Sequence, residues 1–257
     1  MSTILKNCIV KNAAFNSFLS PLALNPAAAF IENSAKYSRS SNGDRIHTQT
    51  DDAGTVGIPE LAVGTTSYRT VVETSPLNLS SYSVGDNDYK NYAASNSAYN
   101  FLHNGSDAAF IAIFKLAFPA TAQVDGLFST VRVSVADPGM GIIINSSRQV
   151  QVYIRNDTSI IYNQIFTPNN ITDWLVISGR LTSSTIKIYD GLNLKLDASG
   201  ITGHTTNNAG SNLQIWGQTG AANLDGWGRA LYLYDYLPDE KEFTNVLQGL
   251  LNNSAED

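Results

Sequence analysis

The stretch Asp225-Gly226-Trp227-Gly228-Arg229-Ala230-Leu231-Tyr232-Leu233-Tyr234-Asp235 decides the fold. Its second half has the alternation of a β-strand, in which successive side chains point to opposite faces. The chain continues through Leu237-Pro238-Asp239-Glu240, whose proline and acidic residues suit the start of a helix. Apolar residues at helical spacing follow from Phe243 to Leu251 and form one face. This order predicts a β-sandwich whose last strand leads into a short helix.

Short apolar runs separated by turns precede this stretch from residue 108 onward. Runs at intervals of about 8–12 residues are typical of sandwiches and barrels. We therefore predict an all-β fold, a two-sheet antiparallel jelly-roll sandwich with an N-terminal extended arm and a short C-terminal helix. The predicted strands of this half are 109–118, 127–135, 141–145, 150–155, 160–166, 174–181, 185–189, 213–217 and 225–235.

The first thirty residues lack this regularity. Pro21 and Pro26 interrupt an Ala-rich run there, and proline removes a backbone donor from either regular structure. Residues 1–30 are predicted to form an N-terminal arm or a first strand, and residues 31–257 one jelly-roll domain. Residues 75–107 are polar and aromatic without firm periodicity, and a loop of this length is usually functional or mobile.

The composition excludes several classes of protein. The net charge is −6 and the 16 basic residues are scattered, which argues against a nucleic-acid partner. No apolar run approaches the roughly 18 residues that span a bilayer. Cys8 is the single cysteine, which excludes an internal disulfide. Charged residues make up 15% of the chain, so neutral polar side chains must cover the surface. The N-terminus has no visible secretion signal, which favours assembly in the cytoplasm.

Catalytic constellations are not apparent. Retaining glycosidases need two carboxylates on one face, and none of the six Glu residues has an acidic partner at that spacing on a convincing strand. His47, His103 and His204 all lie in polar, loop-like contexts. A pair between Cys8 and a histidine stays open, because such pairing is spatial. We therefore expect a protein that is not an enzyme.

Three segments resemble a known family. Residues 172–180 look like a tryptophan-led strand, 185–191 like the next strand with its Asp-Gly turn, and 225–240 like a closing strand and helix cap. In this order they resemble the concanavalin A-like lectin/glucanase jelly roll in its laminin-G-like form, of the kind found in tailed-bacteriophage structural proteins. The likeness covers roughly residues 108 to 251, and Pro238 stands where that family commonly has Ser or Thr.

The resemblance implies a function. It suggests a non-enzymatic virion structural protein of a tailed bacteriophage, made in the host cytoplasm, which decorates the capsid or tail with a lectin-like module. Its expected partners are other virion proteins and itself, as a homo-oligomer with the arm as the contact between subunits. The alternative is a carbohydrate-binding module or adhesin that recognises host-surface glycans. Neither nucleic-acid binding nor membrane insertion is expected.

Two groups of residues are candidates for binding. Tyr82, Tyr89, Tyr92 and Tyr99 lie among Ser, Asn and Asp, and their rings would stack on sugar faces beside polar donors and acceptors. The alternative for these tyrosines is packing of the loop over the sandwich. Oxygen ligands in Asp86-Asn87-Asp88 suit calcium, although such clusters are also common in turns. Calcium at Asp86 and Asp88 is the one cofactor considered.

Overall fold

The computed structural model of the chain describes residues 18–31, 70–74, 80–84, 90–91, 97–116, 124–131, 137–211, 213–216, 224 and 226–254. For residues 30–31, 70–74, 80–84, 90–91, 125, 226–227 and 253–254 it describes the backbone alone. This part of the chain is mostly β-strand in two antiparallel sheets, with one C-terminal helix. The predicted all-β sandwich is confirmed.

Strands make up most of the regular structure in these residues. In chain order they are β1 Ala28–Ile31, β2 Thr70–Thr74, β3 Ser80–Val84, β4 Lys90–Asn91, β5 Ala108–Leu116, β6 Asp125–Ser129, β7 Gly139–Ile144, β8 Val150–Arg155, β9 Ile160–Phe166, β10 Leu175–Leu181, β11 Thr185–Asp190, β12 Asn193–Ser199, β13 Gln214–Ile215 and β14 Gly226–Tyr234. Helix α1 is Glu240–Ser254, and short 3₁₀ helices span Pro21–Leu24 and Asn100–Leu102.

Among the described residues, the larger sheet has eight strands in the order β12-β11-β10-β5-β14-β3-β2, with β1 pairing a second part of β14. The smaller sheet has six strands in the order β4-β13-β6-β7-β8-β9. The decisive stretch of the sequence is β14, which lies beside β5 along almost its whole length. The C-terminal strand β14 therefore lies inside the larger sheet, between strands that are far from it in the sequence.

Aromatic and aliphatic side chains fill the space between the two sheets. Phe110 of β5 meets Phe128 of β6 edge to face, with ring centroids 5.3 Å apart. Trp216, just after β13, is fully buried and has a left-handed backbone, with φ of 58°. Its ring lies directly over Gly228 of β14, where a Cβ would stand 2.1 Å from Trp216 Cε2. A glycine at 228 is therefore what allows the indole to enter the core.

Helix α1 covers the outer face of the larger sheet and encloses a second apolar cluster. Phe243, Val246 and Leu247 of the helix are buried in this cluster together with Ile111 of β5 and Val176 of β10. The apolar spacing recognised in the sequence is the buried face, so the predicted helix is confirmed. No helix among the described residues is both long and apolar enough to cross a membrane.

The first turn of α1 is capped by Asp239. Its carboxylate oxygen Oδ1 accepts hydrogen bonds from the backbone N–H groups of Lys241 at 2.9 Å and Glu242 at 3.2 Å. The sequence suggested that Pro238 lies in the first turn of the helix. In the structure it precedes the capping residue Asp239 and lies outside the helix. Its carbonyl accepts a 2.8 Å hydrogen bond from Arg180 Nη1. The side chain of Asp239 supplies the cap that satisfies the helix's free donors.

The described part of the N-terminal segment packs on its own domain. The Tyr234 hydroxyl donates to the Pro21 carbonyl at 3.0 Å, and the Tyr236 hydroxyl donates to the Leu24 carbonyl. The N–H of Leu19 donates to Asn245 Oδ1 of the helix at 2.8 Å, and β1 then joins the larger sheet beside β14. Residues 1–17 lie outside the described part. The division into an arm or first strand at residues 1–30 and a domain at residues 31–257, and the role of the arm between subunits, stay predictions.

Candidate functional site

Three polar loops meet at one end of the sandwich. They are residues 97–107 before β5, residues 156–159 between β8 and β9, and residues 200–211 after β12; together we call them the loop end. Asn100 Nδ2 donates to Asn208 Oδ1 at 3.0 Å, and Asn100 Oδ1 accepts from the N–H of Ala209 at 3.2 Å. Side-chain amides thus hold loops from distant parts of the chain together.

The turn at residues 156–159 is organised by Asn156. Its Oδ1 accepts hydrogen bonds from the backbone N–H groups of Thr158 at 2.9 Å and Ser159 at 2.8 Å. Asparagine stabilises turns in this way because its side chain reaches the backbone two residues on. Its Nδ2 donates to the Gly203 carbonyl at 2.9 Å. The turn is therefore rigid and fixed to the third loop, and it presents Asp157 at its tip.

Two histidines lie beneath this surface. His103 Nε2 donates to the Asn207 carbonyl at 3.0 Å, and His204 Nδ1 donates to the His103 carbonyl at 2.9 Å. Gly105 has a left-handed φ of 82°, and a Cβ there would stand 3.1 Å from the His204 ring, so glycine lets the imidazole pack closely. The second ring nitrogens, His103 Nδ1 and His204 Nε2, are buried without a hydrogen-bond partner among the described residues.

Asp157 carries one of the exposed carboxylates of the loop end, and Asp107 carries another. Thr205 Oγ1 donates to its Oδ2 at 2.8 Å, and Asn207 Nδ2 donates to its Oδ1 at 2.9 Å. The hydrogen bond from Asn207, followed by that from Thr205, lowers the pKa of the Asp157 carboxyl. Burial lowers the pKa of His103. At neutral pH the site is therefore a carboxylate above a neutral imidazole.

This arrangement can bind hydroxyl groups. A carboxylate has about four lone-pair positions, and in Asp157 one oxygen accepts from Thr205 and the other from Asn207. The remaining positions face solvent, since Asp157 is exposed. Exposed amides and hydroxyls surround it, and Phe101 adds a half-buried ring in the first loop. The loop end thus offers fixed acceptors and donors of the kind that recognise polyhydroxylated ligands.

The outer face of the smaller sheet is less suited to a ligand. Cross-strand pairing places Gln214, Ser129, Gly141, Tyr153 and Asn163 in one polar row. The Tyr153 ring lies over Gly141, where a Cβ would be 2.4 Å away from it. Tyr153 is 8% exposed, and Ser129 and Gln214 are buried. Of this row, only the Asn163 end is exposed.

The structure describes the side chain of one of the four tyrosines predicted to bind sugars. Tyr99 is buried at 2% exposure in the core between the sheets, so its ring has no open face for a sugar and the prediction does not fit it. The polar neighbours of Tyr99 suggested a position on the loop surface, but its ring packs in the core instead. Tyr82 lies in β3, where the backbone alone is described, and Tyr89 and Tyr92 lie outside the described residues. For those three the prediction stands untested.

The calcium candidates also lie outside the described part. Asp86 and Asp88 fall between β3 and β4 in residues that the structure does not describe. Within the described residues, no group of three or more His, Cys, Asp or Glu side chains is placed to hold a metal ion. Calcium at Asp86 and Asp88 therefore stays a prediction.

The sequence did not predict that His103, Asp157 and His204 lie together at the loop end.

The buried His103 makes the stability of the domain depend on pH. Its pKa is lowered in the folded state, whereas an unfolded chain has a histidine pKa of about 6.5. Below that pH the unfolded state binds more protons, so the free energy of unfolding decreases as the pH falls from about 7.5 to about 5.5. His204 opposes protonation of His103, and Asp157 favours it. We expect urea unfolding midpoints to fall over this range.

A His103→Asn variant isolates this effect. It removes the titrating group, so its midpoint should change less between the two pH values than that of the wild type. The lowered pKa of Asp157 acts in a separate window, because its contribution is lost only below about pH 4. Equal pH dependence in wild type and variant would show that His103 is not the group responsible.

Comparisons with known proteins identify similar folds. No protein-family model matches the chain, and no curated protein sequence matches it. The binding domain of botulinum neurotoxin serotype D superposes with a TM-score of 0.60 at 12% identity, over 90% of this chain and 53% of that one. The serotype D ligand-binding domain in complex with N-acetylneuraminic acid gives 0.59 at 11% identity, over 90% and 53%. A type C neurotoxin structure, described with cell entry dependent on two ganglioside molecules, gives 0.52 at 13% identity, over 90% and 53%.

At these identities the likeness is one of fold. The neighbours are β-rich binding domains, in agreement with the two-sheet sandwich. This chain spans about half the length of each of them. Two of the three are described as binding or ligand-binding domains. The concanavalin A-like and tailed-phage assignments stay predictions.

Proposed function

We propose that this chain is a non-enzymatic carbohydrate-binding domain and that the loop end is its binding surface. The observation that carries the proposal is the fixed, exposed Asp157 carboxylate, which Thr205 and Asn207 hold in place. Binding sites are commonly built on loops that a rigid scaffold positions. Glycan recognition needs such fixed acceptors, because sugar hydroxyls are strongly solvated and lose that water on binding.

The ligand we propose is an uncharged glycan. The three loops of the loop end contain no Lys or Arg, whereas Asp107 and Asp157 are both exposed. The whole chain has a net charge of −6. An anionic sugar would therefore meet an ionised carboxylate with no cation in these loops to compensate, which is unfavourable at short range. Neutral hexoses and N-acetylhexosamines bring only hydroxyl and amide groups.

The fold neighbours support binding as the class of function. One of them holds N-acetylneuraminic acid, and another is described with dependence on two gangliosides. Function does not follow from fold, so this likeness adds to the geometric argument and does not replace it. The charge of the loop end is the reason to propose a different class of glycan for this chain.

A glycan array tests the proposal. The labelled full chain should bind neutral glycans above background and show no preference for sialylated versions of the same glycans. Calorimetric titration with the best neutral ligand should then give a saturable one-site isotherm. An array without signal would refute carbohydrate binding, and binding confined to sialylated glycans would refute the charge argument.

The virion role predicted from the sequence is a separate question. A glycan-binding domain would be compatible with it, since virion surface proteins also contact host glycans. None of the comparisons bears on a capsid or tail position, on other virion proteins as partners or on the cytoplasmic assembly route. These stay predictions, and mass spectrometry of purified particles would test them.

A further inference from the structure

Strand β9 is the last strand of the smaller sheet in the part of the chain that the structure describes. Among the described residues five strands pair along one edge only, namely β1, β2, β4, β9 and β12. In β1, which has no charge, the side chains of Ala28 and Ala29 are buried. Three of the other four carry charge in their sequence: Glu73 in β2, Lys90 in β4, and Lys195 with Asp197 in β12. Natural proteins place charges on edge strands because unpaired edges recruit other strands. The seven residues of β9 contain no charge, proline or glycine.

Exposed hydrophobic side chains also occur on β9 and on the β11–β12 hairpin. The described chain has six large hydrophobic side chains with high exposure, and four of them lie on β9 or at the β11–β12 hairpin: Ile160 at 47%, Ile165 at 45%, Leu192 at 40% and Leu194 at 47%. Scattered single exposures are ordinary, but four of the six fall on these two neighbouring edge strands and the turn between β11 and β12.

Strands β9 and β12 close the same side. Lys195 Nζ of β12 donates to the Thr167 carbonyl, one residue past β9, at 3.3 Å, and to Asn169 Oδ1 at 2.7 Å. The ammonium group of Lys195 therefore binds oxygen atoms of its own chain just past the C-terminal end of β9. One edge of β9 pairs with β8, and the other has no strand partner among the described residues.

We propose that β9 pairs in antiparallel fashion with β9 of a second copy of this chain, which joins two smaller sheets into one continuous sheet. A second copy fits because a two-fold antiparallel pairing sets the strand against its own sequence. With no charge in Ile160–Phe166, no like charges meet along the seam in any register. This matters in a chain of net charge −6, because two copies repel each other overall.

The composition of β9 favours such pairing. Residues Tyr162, Asn163, Gln164 and Ile165 follow the bulge at its start and pair regularly with β8. A two-fold axis at Gln164 sets this residue opposite itself and brings Ile165 opposite Asn163 of the second copy. Tyr, Ile and Phe all favour strands, and the exposed leucines at the β11–β12 hairpin extend the apolar contact beyond the strand pair.

Sedimentation velocity over a range of concentrations tests the proposal with the full chain. The wild type should sediment with the mass of two chains. Ile165→Lys and Asn163→Lys each place a charge on the exposed edge, so each should weaken dimerisation at least about tenfold and yield the mass of one chain. Ser183→Lys adds the same charge in the exposed β10–β11 turn and should remain dimeric.

Circular dichroism must show that all variants keep the wild-type strand signal. A wild type that sediments as a single chain at every concentration would overturn the proposal. So would dimers that persist in both β9 variants, because the interface would then lie elsewhere. The test is independent of glycan binding, since β9 lies outside the three loops of the loop end.

Discussion

Replacing Gly228 with alanine is expected to destabilise the domain by about 1–3 kcal/mol, the usual range for overpacking a filled core. The added Cβ would stand 2.1 Å from Cε2 and 2.4 Å from Cδ2 of Trp216. Neither partner can easily move. The indole is fully buried, and its backbone is held by hydrogen bonds from Trp216 N to the Leu127 carbonyl at 2.8 Å and from Leu224 N to the Trp216 carbonyl at 3.1 Å.

Thermal unfolding measures this effect. A domain of this size loses about 2–4 °C of melting temperature for each kcal/mol. A Trp216→Phe background provides the control, because a smaller ring leaves room for the new methyl group. The double variant should therefore be more stable than the sum of the two single effects predicts, with a coupling of about 0.5–3 kcal/mol. Strict additivity would mean that the indole is not what excludes a side chain at 228.

The strands that the sequence predicted best are those whose structure is decided locally. Strands β8 and β9 begin and end where predicted, because turn-forming residues mark their starts, at 146–148 before β8 and at 156–159 before β9. The predicted strand 174–181 begins one residue later in the structure, at Leu175. Trp174 stacks instead under the Arg229 guanidinium, 3.9 Å from its ring centroid. Such a contact joins two distant segments and leaves no local signal.

Strand β12 was not predicted, for a physical reason. Its pairing with β11 shifts register between Ile188 and Tyr189, so alternation is broken. Its Leu194 is exposed, which removes the apolar-inward pattern of an ordinary strand. Likewise β3 and β4 fall in residues 75–107, where polar residues obscured any period. These strands exist because neighbouring strands offer them backbone partners.

The loop end was hidden from sequence reasoning because its parts are far apart in the chain. His103 contacts Asn207 across 104 positions, and Asp157 contacts Thr205 across 48. The one local signal was Asn156-Asp157-Thr158-Ser159, a turn-forming sequence between two well-predicted strands. It would have placed Asp157 at a loop tip, but not beside Asn207. Pairing of the sheets is what brings these loops together.

Replacing Asp157 with alanine is expected to weaken binding of a neutral glycan about tenfold or more. The carboxylate of Asp157 is the charged acceptor that Thr205 and Asn207 hold in place, and hydrogen bonds to a charged group are roughly twice as strong as neutral ones. Its loss also frees Thr205 Oγ1 and Asn207 Nδ2, which now donate to it and hold the third loop. Calorimetric titration of wild type and variant with the same ligand measures the change in Kd.

Asp173→Ala is the matched control, because Asp173 is also exposed and lies at the start of β10, away from the loop end. It removes the same charge, so any effect of net charge on affinity appears in both variants. Asp157→Asn keeps the shape of the side chain but removes its charge, so binding should weaken here as well, because the glycan loses a charged acceptor. If Asp157→Ala binds as tightly as Asp173→Ala, the glycan does not contact this carboxylate. If all three variants bind the glycan as tightly as the wild type, Tyr82, Tyr89 and Tyr92 are the next candidates to test. A wild type that binds no glycan on the array would refute carbohydrate binding itself, before any variant is made.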